Sequence, residues 1–143
     1  MQGQKHVGFE IRTLSNLVKR KVDNLVSKKY GENLTGIQGW VIGYVYENKN
    51  KEIFQKDIEE EFSIRRSTAT TILKLMEKNG FITRNQVDYD GRLKKIELTE
   101  KAINFHEMLK RDIEKIEEQI TMGLSQEEIN SFFLIVEKIK RNL

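Results

Sequence analysis

The run Ser63–Ile82, SIRRSTATTILKLMEKNGFI, constrains this chain most, because it joins a basic, hydroxyl-rich helical pattern to a stop at Gly80 and a strand directly after it. Ala69, Ile72, Leu73 and Met76 recur at steps of three and four, the spacing of a buried helical seam. Arg66, Ser67, Thr70, Thr71, Lys74 and Lys78 fall on the other faces. The strand predicted from Phe81 to Arg84 leads into Val87-Asp88-Tyr89-Asp90-Gly91-Arg92-Leu93-Lys94-Lys95, a charged hairpin tip with its turn at Asp90-Gly91. A second strand returns from Ile96 to Leu98.

A helix of this kind beside a basic hairpin predicts a winged helix-turn-helix, whose helix fits the DNA major groove and whose hairpin reaches the adjacent minor groove. The charge distribution agrees. The net charge is only +3, yet residues 63–95 hold eight Lys/Arg against three Asp/Glu, and residues 1–44 hold seven against three. Residues 45–62 and 96–143 are both acidic. The positive excess therefore falls on the reading helix and hairpin, where phosphate binding requires it. A solvated charged face would show the same count, so charge alone does not decide.

From Ile11, the apolar residues Ile11, Leu14, Leu17 or Val18, Val22, Leu25 and Val26 mark one side of a long first helix that ends near Gly31. Thr35 is the predicted N-cap of a second helix, with Gln38 completing a capping box and Ile37, Val41, Tyr44 and Val45 as its buried stripe. Asn48–Lys51 breaks it, and Gln55–Glu61 makes a short third helix with Ile58 and Phe62 inward. Beyond the hairpin, Thr99 caps a helix striped by Ile103, Leu109, Ile113, Ile116 and Ile120 that ends at Met122-Gly123. Ser125-Gln126-Glu127-Glu128 is a second capping box, opening a last helix with Ile129, Phe132, Phe133, Val136 and Ile139 on its apolar face. The first helix and the last two carry more apolar surface than a winged core of roughly sixty residues can cover, which predicts a subunit interface, with an intramolecular helix bundle and no dimer as the alternative. The expected fold class is mainly α (α+β): one unit over 1–143, with a winged helix-turn-helix core at about 35–98 and dimerisation helices at about 1–31 and 99–143.

The candidate DNA-binding residues follow from this layout. Arg65 and Arg66, near the start of the reading helix, can reach a guanine edge or a phosphate. Ser67, Thr68, Thr70 and Thr71 allow close approach and can donate or accept, and Lys74 adds a cation. Arg92 is expected to project from the hairpin into a narrow minor groove, with Lys94 beside it. Asp90 and Gly91 shape the hairpin, Asp90 by pairing with an arginine.

Other chemistries find little support. His6 and His106 are the only histidines, lie far apart and have no cysteine partners, so no metal site is expected. There is no Gly-rich phosphate loop, nucleophile elbow or His-based triad, so neither an enzyme nor a bound cofactor is expected. The lack of cysteine, of an apolar run near the ~20 residues of a membrane span and of a signal-peptide core predicts a cytoplasmic protein without membrane contact.

The pattern Ile64 to Arg84, then Asp90-Gly91-Arg92, then Leu98-Thr99-Glu100-Lys101, resembles the MarR family of bacterial transcriptional regulators over nearly the whole chain. That resemblance implies a homodimer knit by terminal helices on a palindromic DNA operator. It also implies that the protein is usually a repressor, which a small aromatic or other anionic molecule can release from a pocket between the dimer helices and the winged domain. Trp40, Tyr44 and Tyr46 supply aromatic surface nearby, although such aromatics are more often simply core. Arg65 stands where the family commonly has a capping Ser or Asp, Thr71 and Leu75 stand where arginines often occur, and Ala102 replaces a glycine, so operator preference does not carry over. A winged-helix adaptor that binds a protein partner is the competing reading, separable by salt dependence.

Overall fold

The structure, a computed structural model, describes residues 5–31 and 34–143. Its elements run α1 (Val7–Tyr30), α2 (Gly36–Glu47), α3 (Gln55–Glu61), α4 (Arg66–Lys78), β1 (Ile82–Val87), β2 (Asp90–Leu98), α5 (Glu100–Thr121) and α6 (Gln126–Arg141). This is the mainly α architecture expected, with α1 beginning earlier than Ile11. Residues 1–4 of the expected N-terminal segment lie outside the described residues.

The seam of α4 forms as its spacing requires. Ala69, Leu73 and Met76 are fully buried among Ile42, Ile58 and Ile82, and Ile72 packs half-buried against the same cluster. The α3–α4 turn contains Ser63 at φ 49°, a left-handed conformation. It holds because the Ser63 and Ile64 N–H groups donate back to the Glu60 and Glu59 carbonyls, satisfying the end of α3. Gly80, at φ 78°, ends α4 and lets the chain turn into β1.

The hairpin is longer than the sequence reading allowed. Pairing runs from Ile82 opposite Leu98 to Gln86 opposite Lys94, and the chain reverses at Asp88-Tyr89 instead of Asp90-Gly91. Gly91, Arg92 and Leu93 form an extra stretch in β2 where the register slips next to Gln86/Val87. A local bond favours this bulge: the Asp90 carboxylate accepts from the backbone N–H of Arg92 at 2.9 Å. At the other end of β2, the Ile96 N–H donates to the Ile53 carbonyl at 2.7 Å, tying the hairpin to the segment before α3.

The Leu98-Thr99-Glu100-Lys101 stretch is a structural joint. The Thr99 hydroxyl donates to the Gly80 carbonyl at 2.6 Å and accepts from the Ala102 N–H at 3.3 Å, so one side chain closes α4 and opens α5. Lys101 reaches the Asn79 carbonyl at 2.8 Å and lies 4.6 Å from the centre of the Phe81 ring.

The start of α2 departs from expectation. Thr35 occupies the N-cap, but its side chain makes no capping bond. Asp23 of α1 accepts from the Gly36 N–H at 2.7 Å instead. Gln38 turns into the core, where its Oε1 has no hydrogen-bond partner among the described residues. The cause is crowding along one face of α2: a Cβ at Gly36 would stand 2.6 Å from Asp23 Oδ1, and one at Gly39 would stand 3.2 Å from Leu109 Cδ2. With neighbours on both sides, α2 buries Ile42 completely, while Ile37 of the expected stripe is only half-buried.

Helices α1 and α5 join this body through Val22, Val26, Phe105 and Leu109, all buried. Tyr30 meets Phe105 edge-on at 4.6 Å, and Lys29 pairs with the buried Asp112 at 2.8 Å. In contrast, Ile11, Leu14, Leu17 and Ile120 of the expected stripes are exposed. The Ser125–Glu128 capping box forms in both directions, yet α6 buries no residue.

The Lys29 hydrogen bond holds the Asp112 carboxyl below the usual carboxylate range, against the opposing effect of burial. Its contribution to stability is therefore present above the unfolded-state pKa, ~3.9, and fades as pH falls through the lower folded value. Asp112→Asn should lower the thermal midpoint by a few degrees at pH 7, and the gap from the parent should narrow steadily below about pH 4. A gap independent of pH would show that the pair does not carry this stability.

Candidate nucleic-acid interface

Because its seam fixes the inner side of α4, the outer side is open. Arg65, Arg66, Ser67, Thr68, Thr71 and Lys74 are all exposed there. Arg65 is the N-cap and makes no side-chain capping bond. The positive end of the helix thus coincides with two guanidinium groups.

The hydroxyls along α4 are not equivalent. Gln55, at the start of α3, donates through Nε2 to Thr70 Oγ1 at 2.8 Å and to the Arg66 carbonyl at 3.3 Å. Thr70 is half-buried, and with its oxygen already accepting, its own hydrogen remains to be donated. Thr71 uses its hydrogen on the Ser67 carbonyl at 3.0 Å, which leaves a methyl and a lone pair for anything outside. The sequence reading did not single out Gln55, since a polar residue at a helix start has many uses.

On the hairpin, the Arg92 side chain is 90% exposed. Its guanidinium pairs with Asp90 at 3.2 Å, and this partner, through both side-chain and backbone bonds, lowers the Asp90 pKa. Asp90 thus fixes the bulge and the arginine together, while Gly91 and Lys94 lie exposed on either side of Arg92. A second anchor was not foreseen: the Tyr89 hydroxyl donates to Glu52 at 2.6 Å, joining the turn of the hairpin to the α2–α3 connection. Arg84 of β1 reaches Glu77 of α4 at 3.3 Å. Tyr89→Phe should raise amide hydrogen exchange over residues 88–93 by about fivefold and leave α4 unchanged. Equal exchange in both proteins would show that this bond does not restrain the hairpin.

The three aromatics expected near a pocket do meet. Trp40, Tyr44 and Tyr46 line a cavity of about 410 Å³ between α2, α5 and the end of α3, together with Phe62, His106, Leu109 and Ile113. Its α2 side includes Gly36, Gly39 and Gly43. The i, i+3, i+7 spacing of these glycines is visible in the sequence, but their neighbours, Asp23 and Val22, Leu109 and His106 in turn, are not. Burial pushes the His106 imidazole below its usual pKa, and it stacks on Tyr46 at 4.3 Å. Among the described residues no cluster of metal-ligating side chains occurs, and no helix is long and apolar enough to cross a membrane.

Comparison with known proteins places this geometry. A sequence profile of the MarR family matches residues 32–93, the second helix through the hairpin. The transcription regulator MarR from Oenococcus oeni PSU-1 is 34% identical and superposes with a TM-score of 0.80, over 95% of this chain and 99% of that one. The uncharacterized HTH-type transcriptional regulator YybA of Bacillus subtilis (strain 168) is 25% identical over 128 residues, 89% of this chain and 84% of that protein. The fold is shared with MepR of S. aureus in complex with DNA, at a TM-score of 0.88 and 24% identity, over 98% of this chain and 100% of that one. With its helix-turn-helix, its wing and a near-complete match to an Oenococcus relative, the chain belongs to the MarR family of transcriptional regulators.

Proposed function

We propose that the protein is a homodimeric, sequence-specific regulator that represses from a palindromic DNA operator and is released by a small ligand. One observation carries the reading: α4 leaves Arg65, Arg66, Ser67, Thr68, Thr71 and Lys74 open as a polar, basic surface beside a wing whose Arg92 is 90% exposed. Arg65, Arg66 and Lys74 neutralise phosphates or reach guanine edges, aided by the uncapped end of α4. Ser67, Thr68 and Thr71 approach base edges, and Thr71 offers its methyl to a thymine. Thr70, whose hydroxyl hydrogen is not used by Gln55, donates to a phosphate oxygen. Arg92 and Lys94 enter the minor groove, with Asp90 and Gly91 holding the shape of the wing. MepR, seen with DNA in this fold, supports the choice of duplex as partner.

In this reading residues about 35–98 do the reading, and about 1–31 and 99–143 hold two copies together. The apolar surface supports a second copy as the occupant. Phe9, Leu14 and Leu17 on α1, and Phe132, Phe133, Leu134 and Ile135 on α6, are each at least half exposed. An isolated chain would leave this surface in water. Charge favours self-pairing, since residues 1–44 are basic and residues 96–143 acidic. Twofold symmetry then sets two copies of α4 about 34 Å apart, one turn of DNA.

Arg92→Ala should weaken operator binding by ~1 to 3 kcal/mol without unfolding the protein, as read by gel shifts across a salt series. Affinity that barely changes with salt would favour a protein-binding adaptor, because only phosphate neutralisation releases counterions. Phe133→Glu should convert the dimer to monomer in sedimentation and reduce operator affinity by at least about tenfold, with helical content kept. A parent protein that sediments as a monomer would overturn the symmetric arrangement.

A further inference from the structure

We propose that Gln55 is a positioning residue of the DNA interface: it keeps the hydroxyl hydrogen of Thr70 from turning back onto α4 and so reserves it for one anionic oxygen of the DNA backbone. This role rests on the regulator reading above. Two neighbouring threonines of α4 provide the comparison. A helical threonine can donate its hydrogen to the carbonyl four residues earlier, and Thr71 does so, to Ser67 at 3.0 Å. The equivalent acceptor for Thr70 is the Arg66 carbonyl, which already takes the Thr70 N–H as part of the helix. Gln55 Nε2 occupies the remaining side of that oxygen at 3.3 Å and reaches Thr70 Oγ1 at 2.8 Å with its other hydrogen. Because a carbonyl only accepts, the Gln55 amide must turn its nitrogen this way. Thr70 therefore receives a bond where Thr71 gives one. Among the described residues no acceptor takes its hydrogen.

The amide is set before DNA arrives. Gln55 is half-buried at the first position of α3, and the chain leading into it is pinned twice. The Phe54 N–H donates to Asp57 at 2.8 Å, and the Ile53 carbonyl accepts from the Ile96 N–H at 2.7 Å. The cost of ordering the side chain thus falls on folding and not on binding. Thr70 also stands one helical turn from Arg66 and one from Lys74, both exposed, so its hydrogen is available between two cations that attract a phosphate. A hydroxyl hydrogen meeting a phosphate oxygen makes a charge-assisted bond, whereas a lone pair in its place would be repelled. Gln55 thereby contributes to affinity without touching the nucleic acid.

The test uses the whole chain and a duplex selected from a random pool, in which the phosphates of one half-site are replaced singly by uncharged methylphosphonates. The parent should lose affinity at several of these positions, since its cations and Thr70 each face a phosphate. Gln55→Met has similar length but no hydrogen bond to give, so Thr70 turns back to Arg66 as Thr71 does to Ser67. It and Thr70→Val should each weaken binding by about tenfold, and each should become insensitive at one and the same phosphate. The double variant should bind no more weakly than either single one. Thr70→Ser, which keeps the hydroxyl, should keep the parent pattern. Gln55→Glu, which at neutral pH only accepts, should capture the hydrogen and lose the same phosphate. A loss spread evenly over all phosphates, losses that add in the double variant, or unchanged binding by both Gln55 variants would overturn the positioning role and leave the regulator reading standing. A parent whose affinity ignores every methylphosphonate and rising salt would overturn the regulator reading itself.

Discussion

Everything this molecule presents to its surroundings depends on one seam: Ala69, Leu73 and Met76, fully buried against the rest of the core. Removing these apolar side chains from water fixes the rotation of α4 about its axis, and helix geometry then dictates which residues point outward. Arg65, Arg66, Ser67, Thr68, Thr71 and Lys74 are exposed because the seam is elsewhere. A helix rotated by one residue would lose its packing and present a different set of side chains. The two ends are held as firmly, by the Ser63 turn before α4 and by Thr99 and Lys101 after it. The joint beyond α4 also ties the start of α5 to the end of α4, through the Thr99 bond to the Gly80 carbonyl.

The second constraint is the crowded face of α2. Glycines at Gly36, Gly39 and Gly43 let α1 and α5 approach, and Asp23 replaces the missing side-chain cap. Close approach at Gly39 leaves room further along the same face, where Gly43 meets only the edge of His106. The cavity is therefore a by-product of how three helices pack. It lies between α2, α5 and the end of α3.

Much of the fold was legible in the sequence because its signals are local. The third helix, the Ser125–Glu128 capping box, the Thr99 cap and the α4 seam each depend on spacing and capping chemistry within a few residues. The failures share the opposite property. The capping box at Thr35–Gln38 has the right letters, but a carboxylate distant in sequence caps the helix first and Gln38 goes inward. The turn at Asp90-Gly91 has the right dipeptide, but Asp90 spends its carboxylate on Arg92 and the chain reverses at Asp88-Tyr89. The bonds of Gln55 to Thr70 and of Tyr89 to Glu52 leave no local signal, because single polar residues acquire such roles only from what stands opposite them.

By itself the sequence determined the number and order of the helices, the hairpin, the inner side of α4 and the family, since periodicity, caps and motif order are written along the chain. Only the tertiary structure decided which apolar stripes are satisfied within one chain and which are not. It also decided that Thr71 spends its hydrogen on α4 itself while Thr70 accepts from Gln55, and which residues line the aromatic cavity. The physical reason is the same in each case: burial, hydrogen-bond polarity and electrostatic potential are properties of neighbours, and the neighbours come from residues far apart in sequence.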